Sequence, residues 1–104
     1  RAFEEGVLED THGAYPDAVR RVADSLNVSL IDLTEQTTVF LSSLGEEKSK
    51  SLFLHLPEGH RNYPKGVTDN THLSEEGAEA IAALVVKDIT RQGIPLMNDL
   101  KNKE

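Results

Sequence analysis

The chain has 104 residues, enough for one small domain or for part of a larger one. Its 18 acidic residues against 11 Lys and Arg leave a net charge of −7. That balance argues against general binding to nucleic acid or to anionic membranes, because phosphates attract basic surfaces. Cysteine is absent, which excludes disulfides, thiolate zinc sites and a cysteine nucleophile, and no run approaches the ~20 apolar residues of a membrane span.

The chain opens at Arg1 rather than Met, and its first residues read as mid-domain sequence, so further sequence ahead of it is expected. Residues 1–15 form an irregular lead-in, with a short hairpin expected around Glu5-Gly6 and Val7 and Leu8 on its return. Residues 16–54 read as helix, strand, helix. Pro16 suits a first helical turn, where its missing N–H is not needed. Val19, Val22, Ala23 and Leu26 follow the spacing of one buried helix face, and Asn27 is a plausible stop. The apolar run 28–33 between two helical patterns predicts a parallel strand covered by helices. Thr34 then reads as an N-cap with Glu35 in the first turn, and Thr37, Phe40, Leu41 and Leu44 form a buried stripe ended by Gly45. A further helical turn is expected over 46–50, while Leu52-Phe53-Leu54 reads equally as helix or strand.

Residues 55–73 read as a loop, polar over most of its length and carrying Pro57, Gly59, Pro64 and Gly66. Long loops without periodicity are often functional. Ser74 caps the clearest helix, 74–92, with Glu75 and Glu76 at its positive end. Ala78, Ile81, Ala82, Val85 and Ile89 make its expected stripe, and Gly93 and Pro95 end it, leaving 93–104 as a polar tail. The pattern is α/β and mostly helical. One strand cannot make a sheet, because its backbone groups need neighbours. The remaining strands must come from elsewhere, either from the rest of a larger domain or from a second copy.

The residues that carry chemistry are Asp69-Asn70-Thr71-His72, just ahead of the capped helix. A carboxylate three residues before an imidazole can curl back and accept the Nδ1–H. That fixes the tautomer and leaves Nε2 free to take a proton from a nucleophile. The competing reading makes Asp69 a turn former and His72 a loop residue packed over the helix.

The run Asp69-Asn70-Thr71-His72-Leu73-Ser74-Glu75-Glu76-Gly77-Ala78 resembles the last block of the SGNH (GDSL-type) hydrolases. It is closest in pattern to their rhamnogalacturonan acetylesterase branch. Tyr63-Pro64-Lys65-Gly66-Val67 and Asp10-Thr11-His12-Gly13-Ala14-Tyr15-Pro16 are similar to bacterial members of that branch. The resemblance implies that His72 is the general base and Asp69 its orienting carboxylate. It implies no cofactor. It implies an acetylated carbohydrate as substrate and a flavodoxin-like three-layer fold with a parallel sheet, of which this chain is the C-terminal part. The family's nucleophilic serine lies in a Gly-Asp-Ser block, and its oxyanion donors in that block and in Gly and Asn blocks; all precede the region that this chain resembles.

Ala23-Asp24-Ser25-Leu26 imitates the nucleophile block, but its residues belong to a helical stripe and no strand precedes them. His12, His55 and His60 match no compact metal-ligand spacing. His60 either borders a substrate cleft or is an ordinary loop histidine, and Tyr63 either stacks on a sugar or anchors the loop. Two functions follow. One is the Asp/His-bearing portion of a carbohydrate acetylesterase, inactive by itself. The other is a non-catalytic interaction module, dimeric or strand-swapped, since open strand edges and apolar helix faces seek cover.

Overall fold

A computed structural model describes residues 1–101; the end of the expected polar tail, 102–104, lies outside the described residues. The first element is the expected hairpin. Strands β1 (Phe3–Glu4) and β2 (Val7–Leu8) pair antiparallel with Phe3 opposite Leu8. Glu5 and Gly6 between them both have positive φ, 49° and 78°, as a two-residue turn matching the strand twist requires.

Helix α1 spans Tyr15–Ser25, with Pro16 in its first turn. Its start and end agree with the sequence; its burial does not. None of its residues is buried, and Val19, Val22 and Leu26 are 54%, 57% and 67% exposed. With Val28 and Leu30 they line an open apolar groove of about 450 Å³. Full burial of each such side chain is worth about 1.5–3 kcal/mol, and this face forgoes it. A helix with one apolar stripe gains its stability by covering that stripe.

The expected parallel strand over 28–33 is not formed. Residues 28–32 are irregular, and Leu33 already belongs to helix α2 (Leu33–Leu44). Among the described residues, both sheets are two-stranded antiparallel hairpins, and neither includes this run. A strand without neighbours leaves its N–H and C=O groups unpaired by backbone. One of them is met otherwise: the Leu30 carbonyl accepts from the Gln92 side chain at 2.7 Å. The mixed helix and strand content therefore holds, while a parallel sheet is not built by this chain alone.

The cap of α2 is Asp32, not Thr34. Asp32 Oδ1 accepts the Glu35 N–H at 3.0 Å. The same carboxylate takes two bonds from Arg20 of α1, at 2.6 and 3.3 Å. The guanidinium, then the Glu35 N–H, hold Asp32 below the usual carboxylate range. An anion at the positive helix end that also binds a cation is favoured over the neutral threonine two residues later. Of the predicted stripe, Leu41 is 1% exposed and Thr37, Phe40 and Leu44 are partly covered.

Gly45 ends α2, and helix α3 (Glu46–Ser49) runs into a 3-10 turn, Lys50–Leu52. The chain then straightens into strand β3, Phe53–Leu56, which settles the open choice at 52–54. Leu41, Leu52 and Phe53 form the core, with Phe3, Leu8, Phe40, Leu44 and Ala80 packed against it. Strand β4 covers Val67–Leu73 and pairs antiparallel with β3. Much of the expected loop 55–73 is thus a β-hairpin, with a connection only over 57–66. Asp and Asn are poor strand formers, which is why the run from Asp69 reads as loop.

Helix α4 spans Glu75–Gln92, capped by Ser74, whose Oγ accepts the Gly77 N–H at 3.1 Å. Gly93 closes it in the left-handed conformation. The stripe differs from expectation. Ile89 is buried and Ile81 and Val85 are partly so, but Ala78 and Ala82 face solvent, while Gly77 and Asp88 are buried. Gly77 is buried because α4 rests directly on backbone: a Cβ there would lie 1.9 Å from the Leu52 carbonyl oxygen. The tail continues as a 3-10 turn, Pro95–Asp99.

The radius of gyration is 16.3 Å, against about 13 Å for a compact chain of this length. The excess comes with a small core and an uncovered α1 face. No helix among the described residues is long and apolar enough to cross a membrane.

Candidate active site

The register of the β3–β4 hairpin creates the site. Leu54 faces Asp69, and the next pair is Phe53 with Leu73. One strand advances one residue while the other advances four, so Asn70, Thr71 and His72 bulge out without ladder partners. Bulges of this kind re-aim side chains, and they need other bonds to hold them.

The Asp69 carboxylate supplies those bonds from inside. Its Oδ1 accepts the backbone N–H of Thr71 at 2.6 Å and of His72 at 2.9 Å. Its Oδ2 accepts the His72 Nδ1–H at 2.7 Å. The two backbone bonds, then the imidazole, hold the Asp69 carboxyl down at about 2, because hydrogen bonds to the charged form favour that form. Asp69 is one-quarter exposed and the His72 side chain is 76% exposed. Nδ1 is thus committed to the carboxylate, and Nε2 is left on the open side of the ring. One ring nitrogen is therefore held and the other is open to a partner. Asp69 is a turn former and a ring partner at once, while His72 lies in β4 and is exposed rather than a loop residue packed over the helix.

Behind the pair, Ser74 fixes the start of α4. It donates from Oγ to the Ser51 carbonyl at 2.6 Å and from its N–H to the Leu52 carbonyl at 3.0 Å. Its hydroxyl is committed there as cap and strut. Ser25, the residue in the imitation nucleophile block, ends α1 and donates to the Val22 carbonyl at 3.0 Å. No serine hydroxyl bonds His72 among the described residues.

The other histidines do not converge. His12 sits in an Asp10 turn, its N–H donating to Asp10 Oδ1 at 3.1 Å. His60 Nδ1 accepts the Asn62 N–H at 3.1 Å, and its ring tilts against Tyr63 with centroids 6.0 Å apart. The connection 57–66 is closed on itself by Gly59 to Pro64 and Gly66 to Tyr63 backbone bonds. Among the described residues no three His, Asp or Glu side chains gather in a metal-binding group. The sequence gives no sign that His55 and Asn70 meet. His55 Nε2–H donates to Asn70 Oδ1 at 2.7 Å. They are 15 residues apart, and only the strand register brings them together.

Known proteins match this chain along nearly all of its length. It is 45% identical over 106 residues to the rhamnogalacturonan acetylesterase RhgT of Bacillus subtilis (strain 168), covering 100% of this chain and 46% of that protein. It is 34% identical over 98 residues to the probable rhamnogalacturonan acetylesterase YesY of the same organism, covering 94% of this chain and 42% of that protein. It is 28% identical over 90 residues to the uncharacterized esterase YxiM, covering 86% and 20%. No family model matches, and no solved structure does. The similarity read from the block at 69–78 thus extends to the whole chain, which spans about half the length of the first two of these relatives.

Proposed function

We propose that this chain, similar throughout to rhamnogalacturonan acetylesterases, is the C-terminal part of such a domain. It supplies the base and the orienting carboxylate of a serine esterase that deacetylates a rhamnogalacturonan-like carbohydrate. The observation that carries this reading is the hold of Asp69 on both the backbone and the ring of His72.

The chemistry follows from that hold. A serine outside this chain attacks the acetyl carbonyl while His72 Nε2 takes its proton. Asp69 stabilises the imidazolium, and its committed Nδ1 bond keeps the ring from turning. The imidazolium then protonates the departing sugar oxygen, leaving an acetyl-serine. Water attacks that ester, again giving its proton to Nε2, and the serine leaves with the proton returned. Acetate and free sugar hydroxyl are the products, and no redox partner or cofactor is needed. The rest of the domain would cover the α1 groove and bring the strands that the irregular 28–32 run lacks.

Acetate release from acetylated rhamnogalacturonan by a complete acetylesterase domain containing this chain tests the reading. Asp69→Asn should lower kcat by about 10³–10⁴-fold, and His72→Ala by at least as much. Unchanged turnover in His72→Ala would sink it. A second reading has one observation in its favour, the open apolar face of α1. On that reading the chain is a non-catalytic module that self-associates, and Asp69 and His72 are dispensable.

A further inference from the structure

We infer that His55 is a positioning residue for His72, acting through Asn70. The bulge 70–72 has no ladder bonds of its own. Asp69 fastens Thr71 and His72 from inside, but that leaves the leading residue, Asn70, without a strand partner. Its side chain is held by His55 at 2.7 Å, and its carbonyl accepts from the backbone nitrogen of Arg1. His55 stands on regular ladder, opposite Thr68. Asn70 lies two residues past Thr68, the diagonal neighbour that a long side chain reaches on the same strand face.

The clamp therefore joins the regular part of the hairpin to the bulge that presents His72. Without it Asn70 keeps only the bond from Arg1 to its carbonyl, and rotation of that one residue carries Thr71 and His72 with it. A base displaced by about 1 Å loses up to 10²-fold in rate, and sites need support that keeps them within roughly 0.5 Å of productive geometry. His55 bonds Asn70, and the His72 ring bonds Asp69. The effect of His55 on rate is indirect, and the catalytic meaning of this inference rests on the esterase reading above.

Two measurements test it. In a complete domain containing this chain, His55→Ala should lower kcat on 4-nitrophenyl acetate about tenfold while KM stays within about twofold. His55→Gln, whose amide still donates to Asn70, should restore most of that loss. The double variant His55→Ala/Asn70→Ala should be no slower than His55→Ala, because both break one contact. In this chain, the Thr71 and His72 amide protons should lie downfield in NMR spectra and shift upfield in His55→Ala but not in His55→Gln. Unchanged amide shifts in His55→Ala would overturn the clamp. So would a kcat within about twofold of the parent, or a loss that glutamine does not rescue. His72→Ala in the same assay reads the esterase function separately. If it keeps full activity, that function falls, and the amide shifts still decide whether His55 holds the bulge.

Discussion

Asp69 holds His72 twice, taking its backbone N–H at 2.9 Å on one carboxylate oxygen and its ring Nδ1–H at 2.7 Å on the other. One side chain thus shapes the turn and sets the tautomer, so the two functions titrate together. The Asp69 carboxyl is lowered from 3.8 to about 2. A carboxyl whose folded value is depressed adds stability that is fully present above its unfolded value. That stability is lost as pH falls through the folded value. The bulge should accordingly keep its form above pH 3.8 and open as pH falls towards about 2. A carbon-13 titration of the Asp69 carboxyl should show a midpoint near 2; a midpoint at the ordinary value would contradict the three bonds.

Gly77→Ala tests the seat of α4. Helix propensity alone favours alanine by about 1 kcal/mol. The added methyl would meet the Leu52 carbonyl oxygen at 1.9 Å, however, and backbone cannot swing away as a side chain would. The expected net result is destabilisation by about 1–3 kcal/mol, read from denaturant unfolding. A more stable variant would show that α4 does not rest on the 3-10 turn.

Asp32→Ala removes the N-cap of α2 and the carboxylate that ties Arg20 to it. The cap by itself is worth about 1 kcal/mol. Thr34→Ala, at the position that the sequence suggests as cap, should change stability less than Asp32→Ala does. Equal losses in the two variants would return the cap to Thr34.

The open face of α1 should drive self-association of this chain. Val22→Glu places a charge in the centre of the apolar groove, so sedimentation velocity at matched concentration should shift towards monomer. Val86→Glu, on the solvent side of α4 and 42% exposed in the parent, serves as the control of equal charge. An identical distribution in the two variants would mean that association uses another surface.

Much of the local structure is legible in the residues. The Glu5-Gly6 turn, Pro16 in the first turn of α1, Gly45 after α2 and the Ser74 cap all appear where the chain places them. Each depends on neighbours a few residues away. The misread positions depend on distant ones. The run 28–33 has strand composition, but a strand is a relation between segments, and no described strand pairs with this one. Val67–Leu73 has the composition of a loop, yet pairs with β3 because Val67 and Thr68 find Leu56 and His55 across the ladder. The error at Ala78 and Ala82 has the same origin: which side of α4 is inner is set by where Leu52 lies, and the buried Gly77 marks that side.

The site divides along the same line. Asp69 and His72 stand three residues apart, and a carboxylate at that distance can reach both the backbone and the ring, so the sequence by itself determined the pair and the tautomer it holds. The cover that α1 lacks and the partnership of His55 with Asn70 were decided only by the tertiary structure. Both depend on which segments lie side by side, and the pairing register that sets this is written over residues far apart in the chain.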